Sequence, residues 1–129
     1  MVGIVIVSHS EALANSIVEL TKMMADGACI AAAGGLEDGS FGTSYERIKQ
    51  AIERVYSLDG VIILMDMGSA VMTTEMVIED MSMMDKTNIK MVDCPIVEGA
   101  ISASVVSAGG APIDEVIESA KMASTMNKF

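Results

Sequence analysis

Gly60-Val-Ile-Ile-Leu-Met65, running directly into Asp66-Met-Gly-Ser69, is the stretch whose reading decides the fold. The run is apolar without alternation and rich in β-branched residues. A strand with one wet face would alternate apolar and polar side chains, so this one is expected to be covered on both faces, as strands of parallel sheets are. The turn that follows leads into a helix at about 70–83, and Asp66 is a residue type that also caps helices.

Working outward, the same strand–turn–helix unit recurs. Residues 2–8 form a second apolar run, followed by His9 and a helix at about 10–26 with Leu13, Ile17, Leu20 and Met24 at helical spacing. Ser8-His-Ser-Glu11 reads as a capping box, with Ser10 as the alternative cap. A weaker strand at about 28–34 leads into the glycine-rich loop Gly34–Gly42. Thr43-Ser-Tyr-Glu46, a second capping box, then opens a helix that buries Tyr45, Ile48, Ile52 and Val55. A strand at about 88–92, a helix at about 98–108 ending at Gly109-Gly110, and a last helix from Pro112 to about 126 complete the chain. The alternation predicts one α/β domain over 1–129. It is a doubly wound open sheet, mainly parallel, with about four parallel strands, an extra edge strand left open, and helices on both faces.

Composition excludes several functions. No stretch reaches the roughly 18 to 20 apolar residues of a membrane span. The N-terminus carries no basic region and no small-residue cleavage site, so a cytoplasmic location is expected. Eight basic residues against eighteen acidic ones give a net charge of -10, which repels nucleic-acid backbones. Cys29 and Cys94 lack zinc-site spacing, fall toward opposite edges of the expected sheet, and read as buried, unpaired thiols. No metal site is expected. The thirteen methionines, concentrated around Met65–Met84, read as gap-filling core, with some left for a docking or dimer surface.

In a parallel sheet, the segments that follow the first three strands emerge on one edge. They carry His9, the only histidine; the Gly34–Gly42 loop with Thr43 and Ser44; and Asp66-Met-Gly-Ser69. A neutral imidazole is a good phosphoryl acceptor and a good leaving group, provided that one tautomer is fixed by an acceptor on its other nitrogen. Asp66 is the available carboxylate. Backbone N–H groups at the helix start by Ser10, and from Gly34, Gly35, Gly39 and Gly68, are candidates to hold phosphoryl oxygens, with hydroxyls from Thr43, Ser44 and Ser69. Each residue also has a plainer use: Asp66 and Thr43 as helix caps, the glycines as positive-φ positions. No lysine or arginine lies in the three loops, and the nearest, Arg47, falls inside the second helix. There is neither a P-loop nor a dinucleotide-binding glycine fingerprint, so the chain does not read as a self-sufficient nucleotide-using kinase.

Gly3-Ile-Val-Ile-Val-Ser-His9-Ser, Ala33-Gly-Gly35 with Asp38-Gly39 and Gly42-Thr-Ser44, and Asp59-Gly-Val-Ile-Ile-Leu-Met-Asp66-Met-Gly-Ser-Ala70 together resemble the mannose-type enzyme IIA family of the bacterial phosphoenolpyruvate-dependent phosphotransferase system. The likeness covers essentially the whole chain. It is nearest to the phosphocarrier subunits of phosphotransferase-dependent dihydroxyacetone kinases. The resemblance implies that His9 accepts a phosphoryl group from the phosphohistidine of HPr, with Nε2 as the acceptor atom and Asp66 paired to the ring. It implies onward transfer to ADP on the kinase's nucleotide-binding subunit, a covalent phosphoryl group in place of any bound cofactor, a homodimer, and a place in glycerol metabolism. Larger members append HPr-like and enzyme-I-like domains, so a single-domain version is expected to rely on separate proteins. One departure is Met72-Thr-Thr-Glu-Met76, where many relatives have an asparagine. Two other roles fit the same residues: the IIA unit of a mannose-class sugar permease, and a regulatory module that reports phosphotransferase flux.

Overall fold

A computed structural model describes residues 1–129. The four strands are β1 (Gly3–Ser8), β2 (Ile30–Gly34), β3 (Val61–Met65) and β4 (Ile89–Met91). The five α-helices are α1 (Glu11–Met24), α2 (Tyr45–Val55), α3 (Val71–Ser82), α4 (Ile96–Ala108) and α5 (Ile113–Met122). A 3₁₀ turn at Gly68–Ala70 leads into α3, and another at Ala123–Thr125 follows α5. All three strand pairings are parallel, in the order β2-β1-β3-β4. The doubly wound parallel sheet is therefore present with four strands, and no fifth strand joins its edge.

Side-chain alternation explains why the two central strands read as unbroken apolar runs. Val5, Val7, Val61 and Ile63 pack with α2 and α3 on one face, while Ile4, Ile6, Ile62 and Leu64 pack with α1, α4 and α5 on the other. Fully burying each such side chain contributes about 1.5–3 kcal/mol. The edge strands are weaker in composition because they are covered less. In β2, Ala31 and Ala33 face the α2 side and are buried, whereas Ile30 and Ala32 are partly exposed. In β4, Lys90 is solvent-exposed, a charge of the kind that discourages pairing with a foreign strand.

Five details depart from the sequence reading. First, α1 is rotated. Its buried residues are Ala14, Ile17 and Thr21, while Leu13, Leu20 and Met24 stand 41%, 40% and 63% exposed. The small face goes inward because α1 lies close against β2: a methyl group built on Gly34 would sit 2.5 Å from the Ser10 carbonyl oxygen and 2.8 Å from Ala14 Cβ. Thr21 tolerates burial because its hydroxyl donates to the Val18 carbonyl at 2.8 Å.

Second, α2 is capped by Ser44 rather than Thr43. Its hydroxyl accepts from the Arg47 amide at 3.2 Å, and no capping box forms. Third, Pro112 is the N-cap of α5 rather than its first helical residue, and the helix ends at Met122. Fourth, the methionines around α3 are mainly surface residues. Met81 is fully buried, but Met67, Met72, Met76, Met83 and Met84 are exposed. Fifth, both cysteines are half-buried rather than buried; they are unpaired and lie by opposite edge strands, as expected. Burial, with the neighbouring Asp93 charge, pushes the Cys94 thiol up to about 11.

Thr74, on the buried face of α3, carries a hydroxyl with no hydrogen-bond partner. An unmet buried hydroxyl costs about 1–3 kcal/mol, whereas an isosteric methyl costs nothing of that kind. Thr74→Val is therefore expected to raise the unfolding free energy by roughly 1 kcal/mol. Chemical denaturation that shows a loss instead would mean that the hydroxyl is satisfied in solution.

Candidate functional site

The sheet order reverses between β1 and β3. The chain leaves β1 into α1 on one face and leaves β3 into α3 on the other, so a crevice opens at the carboxyl ends of the two central strands. Register fixes what faces it. Val7 pairs with Met65, and the Asp66 amide donates to the Val7 carbonyl at 3.2 Å, which brings Asp66 beside Ser8 and His9.

Asp66 holds His9 through both oxygens. Oδ1 lies 3.0 Å from His9 Nδ1, and Oδ2 accepts from the His9 amide at 3.0 Å and the Ser8 hydroxyl at 2.9 Å. Burial works to raise the Asp66 carboxyl. The hydrogen bonds from the His9 amide, the His9 ring and the Ser8 hydroxyl outweigh it and hold the group below its ordinary range. An ionised carboxylate has no proton to donate, so it makes Nδ1 the protonated nitrogen of the neutral ring and leaves the Nε2 lone pair available. Nε2 meets the Ser69 hydroxyl at 2.8 Å on the exposed 3₁₀ turn. The amides of Gly68 and Ser69 in that turn make no hydrogen bond to the protein.

The remaining candidates stand as follows. The Ser10 hydroxyl accepts from the Leu13 amide and caps α1, while the Ser10 amide donates to Ser8 Oγ at 3.0 Å. Three amides at this helix start, those of His9, Ser10 and Leu13, are thus already engaged. The glycine-rich loop is fastened beneath the site by its backbone: Gly35 N donates to the Ser8 carbonyl at 3.1 Å and Gly42 N to the His9 carbonyl at 2.9 Å. Gly35 is needed at φ 69°, where a side chain strains the backbone. Gly34 provides the close α1 approach described above, and Gly39 sits at the open loop tip. The Thr43 hydroxyl lies 3.4 Å from that of Thr73, and the Ser44 hydroxyl donates to Glu37. His9, Asp66 and Ser69 are brought together; Gly34, Gly39, Thr43 and Ser44 make their contacts elsewhere.

Two residues escaped the sequence reading. Ser8 looked like a helix-cap residue, yet it is fully buried against Asp66. Only its place one residue before His9, at the end of a buried strand, hinted at this. Arg47 reaches the glycine loop from α2, donating to the Gly34 carbonyl at 2.9 Å and pairing with Glu11. An ion pair this exposed contributes only about 0–1 kcal/mol, so its effect is geometric: it closes the carboxyl end of the open β2 edge.

Gly34→Ala tests that packing. Its methyl would meet backbone atoms of Ser10 and Glu11 at 2.5 and 2.9 Å, and backbone yields little. A loss of about 3 kcal/mol is expected on thermal or denaturant unfolding. An unchanged midpoint would mean that α1 does not lie so close.

A parallel, doubly wound sheet whose switch-point crevice holds an imidazole against a carboxylate defines the protein as an α/β domain with a paired His9–Asp66 site. The family described as "PTS system fructose IIA component" (EIIA-man) matches residues 3–118, and the chain belongs to it. The phosphotransferase subunit DhaM of the PTS-dependent dihydroxyacetone kinase of Lactococcus lactis is 38% identical, with 90% of each chain covered. The phosphoryl donor subunit DhaM of the PEP-dependent dihydroxyacetone kinase of Escherichia coli is 39% identical over 91% of this chain; the chain spans 26% of that relative's length. Among solved structures, the protein of unknown function EF1359 superposes with a TM-score of 0.81 at 27% identity, with 93% of this chain and 92% of that one covered.

Proposed function

We propose that the chain is a phosphohistidine carrier. It takes a phosphoryl group from phospho-HPr onto His9 and delivers it to ADP on the nucleotide-binding subunit of a dihydroxyacetone kinase. It would thus be the phosphocarrier component of a phosphoenolpyruvate–glycerone phosphotransferase. The observation that carries this reading is the split use of the imidazole: Nδ1 is held by Asp66 while Nε2 faces the surface beside Ser69. Its support from kinship is the set of relatives named as dihydroxyacetone kinase subunits.

The Nε2 lone pair forms a bond to phosphorus as the bond from phosphorus to the donor imidazole breaks, and that electron pair leaves with the donor. Asp66 stabilises the imidazole as it gains positive character. Ser69 gives up its contact with Nε2, and its hydroxyl, with the free amides of Gly68 and Ser69, turns to the phosphoryl oxygens. In the second transfer, a terminal phosphate oxygen of ADP attacks phosphorus. The N–P electrons return to Nε2, restoring the neutral ring with its Nδ1–H on Asp66. No arginine or lysine bonds to His9 or Asp66, so nothing over-stabilises the loaded state relative to transfer.

The reading includes a cytoplasmic homodimer acting with HPr and the kinase subunits in glycerol metabolism. Exposed apolar side chains near the site, among them Phe41, Met67 and Met72, give a surface for docking. No helix is long and apolar enough to cross a membrane. Incubation with phosphoenolpyruvate, enzyme I and HPr is expected to place one acid-labile, base-stable phosphoryl group on the chain. Adding the ADP-loaded kinase subunit should drain it. Drainage only to a IIB protein would move the role to a sugar permease. A phosphorylated chain that binds a partner without onward transfer would make it a regulatory module.

A further inference from the structure

We infer that Ser8 is a positioning residue for the His9–Asp66 pair, relaying the order of the α1 N-terminus onto the carboxylate; the inference rests on the phosphocarrier reading for its kinetic consequence alone. Ser8 is fully buried at the last position of β1. Its hydroxyl accepts from the Ser10 amide at 3.0 Å and donates to Asp66 Oδ2 at 2.9 Å. An amide can only donate, so the hydroxyl's one proton is directed to the carboxylate. The chain Ser10 N–H, Ser8 O–H, Asp66 Oδ2 therefore has a single polarity.

This polarity matters at the ring. Asp66 Oδ2 is held from two sides, by the Ser8 hydroxyl and the His9 amide, and that leaves Oδ1 aimed at Nδ1. The two donors to Oδ2 stop the carboxylate from turning about its terminal bond, a torsion that is otherwise broad. With the carboxylate fixed and ionised, Nδ1 keeps the proton and Nε2 stays nucleophilic. Without Ser8, the His9 amide alone holds Oδ2, the carboxylate gains freedom, and Nδ1–H loses part of its claim on the tautomer. Ser8 touches neither Nε2 nor the place of the phosphoryl group, so it acts through Asp66.

The test compares wild type with Ser8→Ala, Ser8→Cys and Ser8→Thr. His9 is the only histidine, so the ring ¹⁵N spectrum reports one residue and needs no phosphoryl donor. In folded Ser8→Ala, the ring nitrogens are expected to move toward averaged tautomers, with the Nε2-protonated form gaining. The maximal rate of phosphorylation should fall roughly 10- to 100-fold, the range set by losing a hydrogen bond to a charged group, with KM for phospho-HPr unchanged. Ser8→Thr, which keeps the hydroxyl, should restore the wild-type tautomer. Should Ser8→Ala unfold, Ser8→Cys keeps the volume with only a weak donor and is read in the same way. A folded alanine or cysteine variant with the wild-type ring spectrum and rate would overturn the inference, as would a threonine variant that fails to recover the tautomer. If wild type takes no phosphoryl group at all, the carrier reading falls, and the ring spectrum still decides the role of Ser8.

Discussion

With His9 replaced by glutamine, phosphoryl uptake from phospho-HPr is expected to vanish while the fold survives. The loss should be complete because no second imidazole exists in the chain to take over. The hydroxyl that stands closest to the ring nitrogen, Ser69, has no general base of its own once the imidazole is gone. The structural cost is small. The side chain is 21% exposed, and its ring hydrogen bonds to Asp66 and Ser69 lie near the surface, so about 1–2 kcal/mol is at stake. Mass spectrometry of the intact protein under alkaline conditions gives the readout. A glutamine variant that still carries the added phosphoryl mass would place the acceptor elsewhere and end the proposed mechanism.

Asp66→Asn carries the second-largest effect: phosphoryl transfer slowed by about 10²- to 10⁴-fold with uptake still measurable. An amide in place of the carboxylate can present its NH₂ to Nδ1 and favour the tautomer with the proton on Nε2, which has no lone pair to attack. It also withdraws the negative charge that stabilises the ring as it becomes positive. Removing an orienting or proton-handling carboxylate from a histidine costs in this range. Single-turnover phosphorylation by phospho-HPr measures it, and a wild-type rate would reduce Asp66 to a structural residue of the crevice.

The same substitution has a pH signature. The Asp66 carboxyl lies below its ordinary 3.8 in the folded protein. A depressed folded value means that ionised Asp66 stabilises the fold above the unfolded value, and that this contribution is lost as pH falls through the folded value. The stability gap between wild type and Asp66→Asn is therefore expected to be level above about pH 5 and to narrow below about pH 4. A gap that stays constant down to acid unfolding would show that the carboxylate's hydrogen bonds contribute nothing to stability.

The parallel sheet was legible because β1 and β3 are buried on both faces, and only unbroken apolar runs satisfy two cores at once. The meeting of His9 with Asp66 followed from it, since parallel strands deliver the segments after them to one edge. The rotation of α1 was not legible. Leu13-Ile17-Leu20-Met24 and Ala14-Ile17-Thr21 have equal helical spacing, and hydrophobicity favoured the wrong set. Gly34 chose the other, because a strand with no Cβ draws the small face of a helix against it. The methionines misled for a related reason: α3 covers the sheet with Thr74, Val77 and Met81, one turn after another, and its other methionines fall on the outer side.

By itself, the sequence determined the class of fold and the meeting of His9 with Asp66, because both depend on local pattern and chain direction. Apolar periodicity sets strand and helix; parallel strands set a common edge; residue chemistry singles out an imidazole and a carboxylate on that edge. Only the tertiary structure decided how the pair is held. The register beside Val7 and Met65 gives Asp66 two donors on one oxygen and the ring on the other. The close fit of α1 on Gly34 and the reach of Arg47 across the β2 edge fasten the loop below. Those are contacts between residues far apart in the chain, set by how closely the packed elements approach, and no spacing along the sequence encodes them.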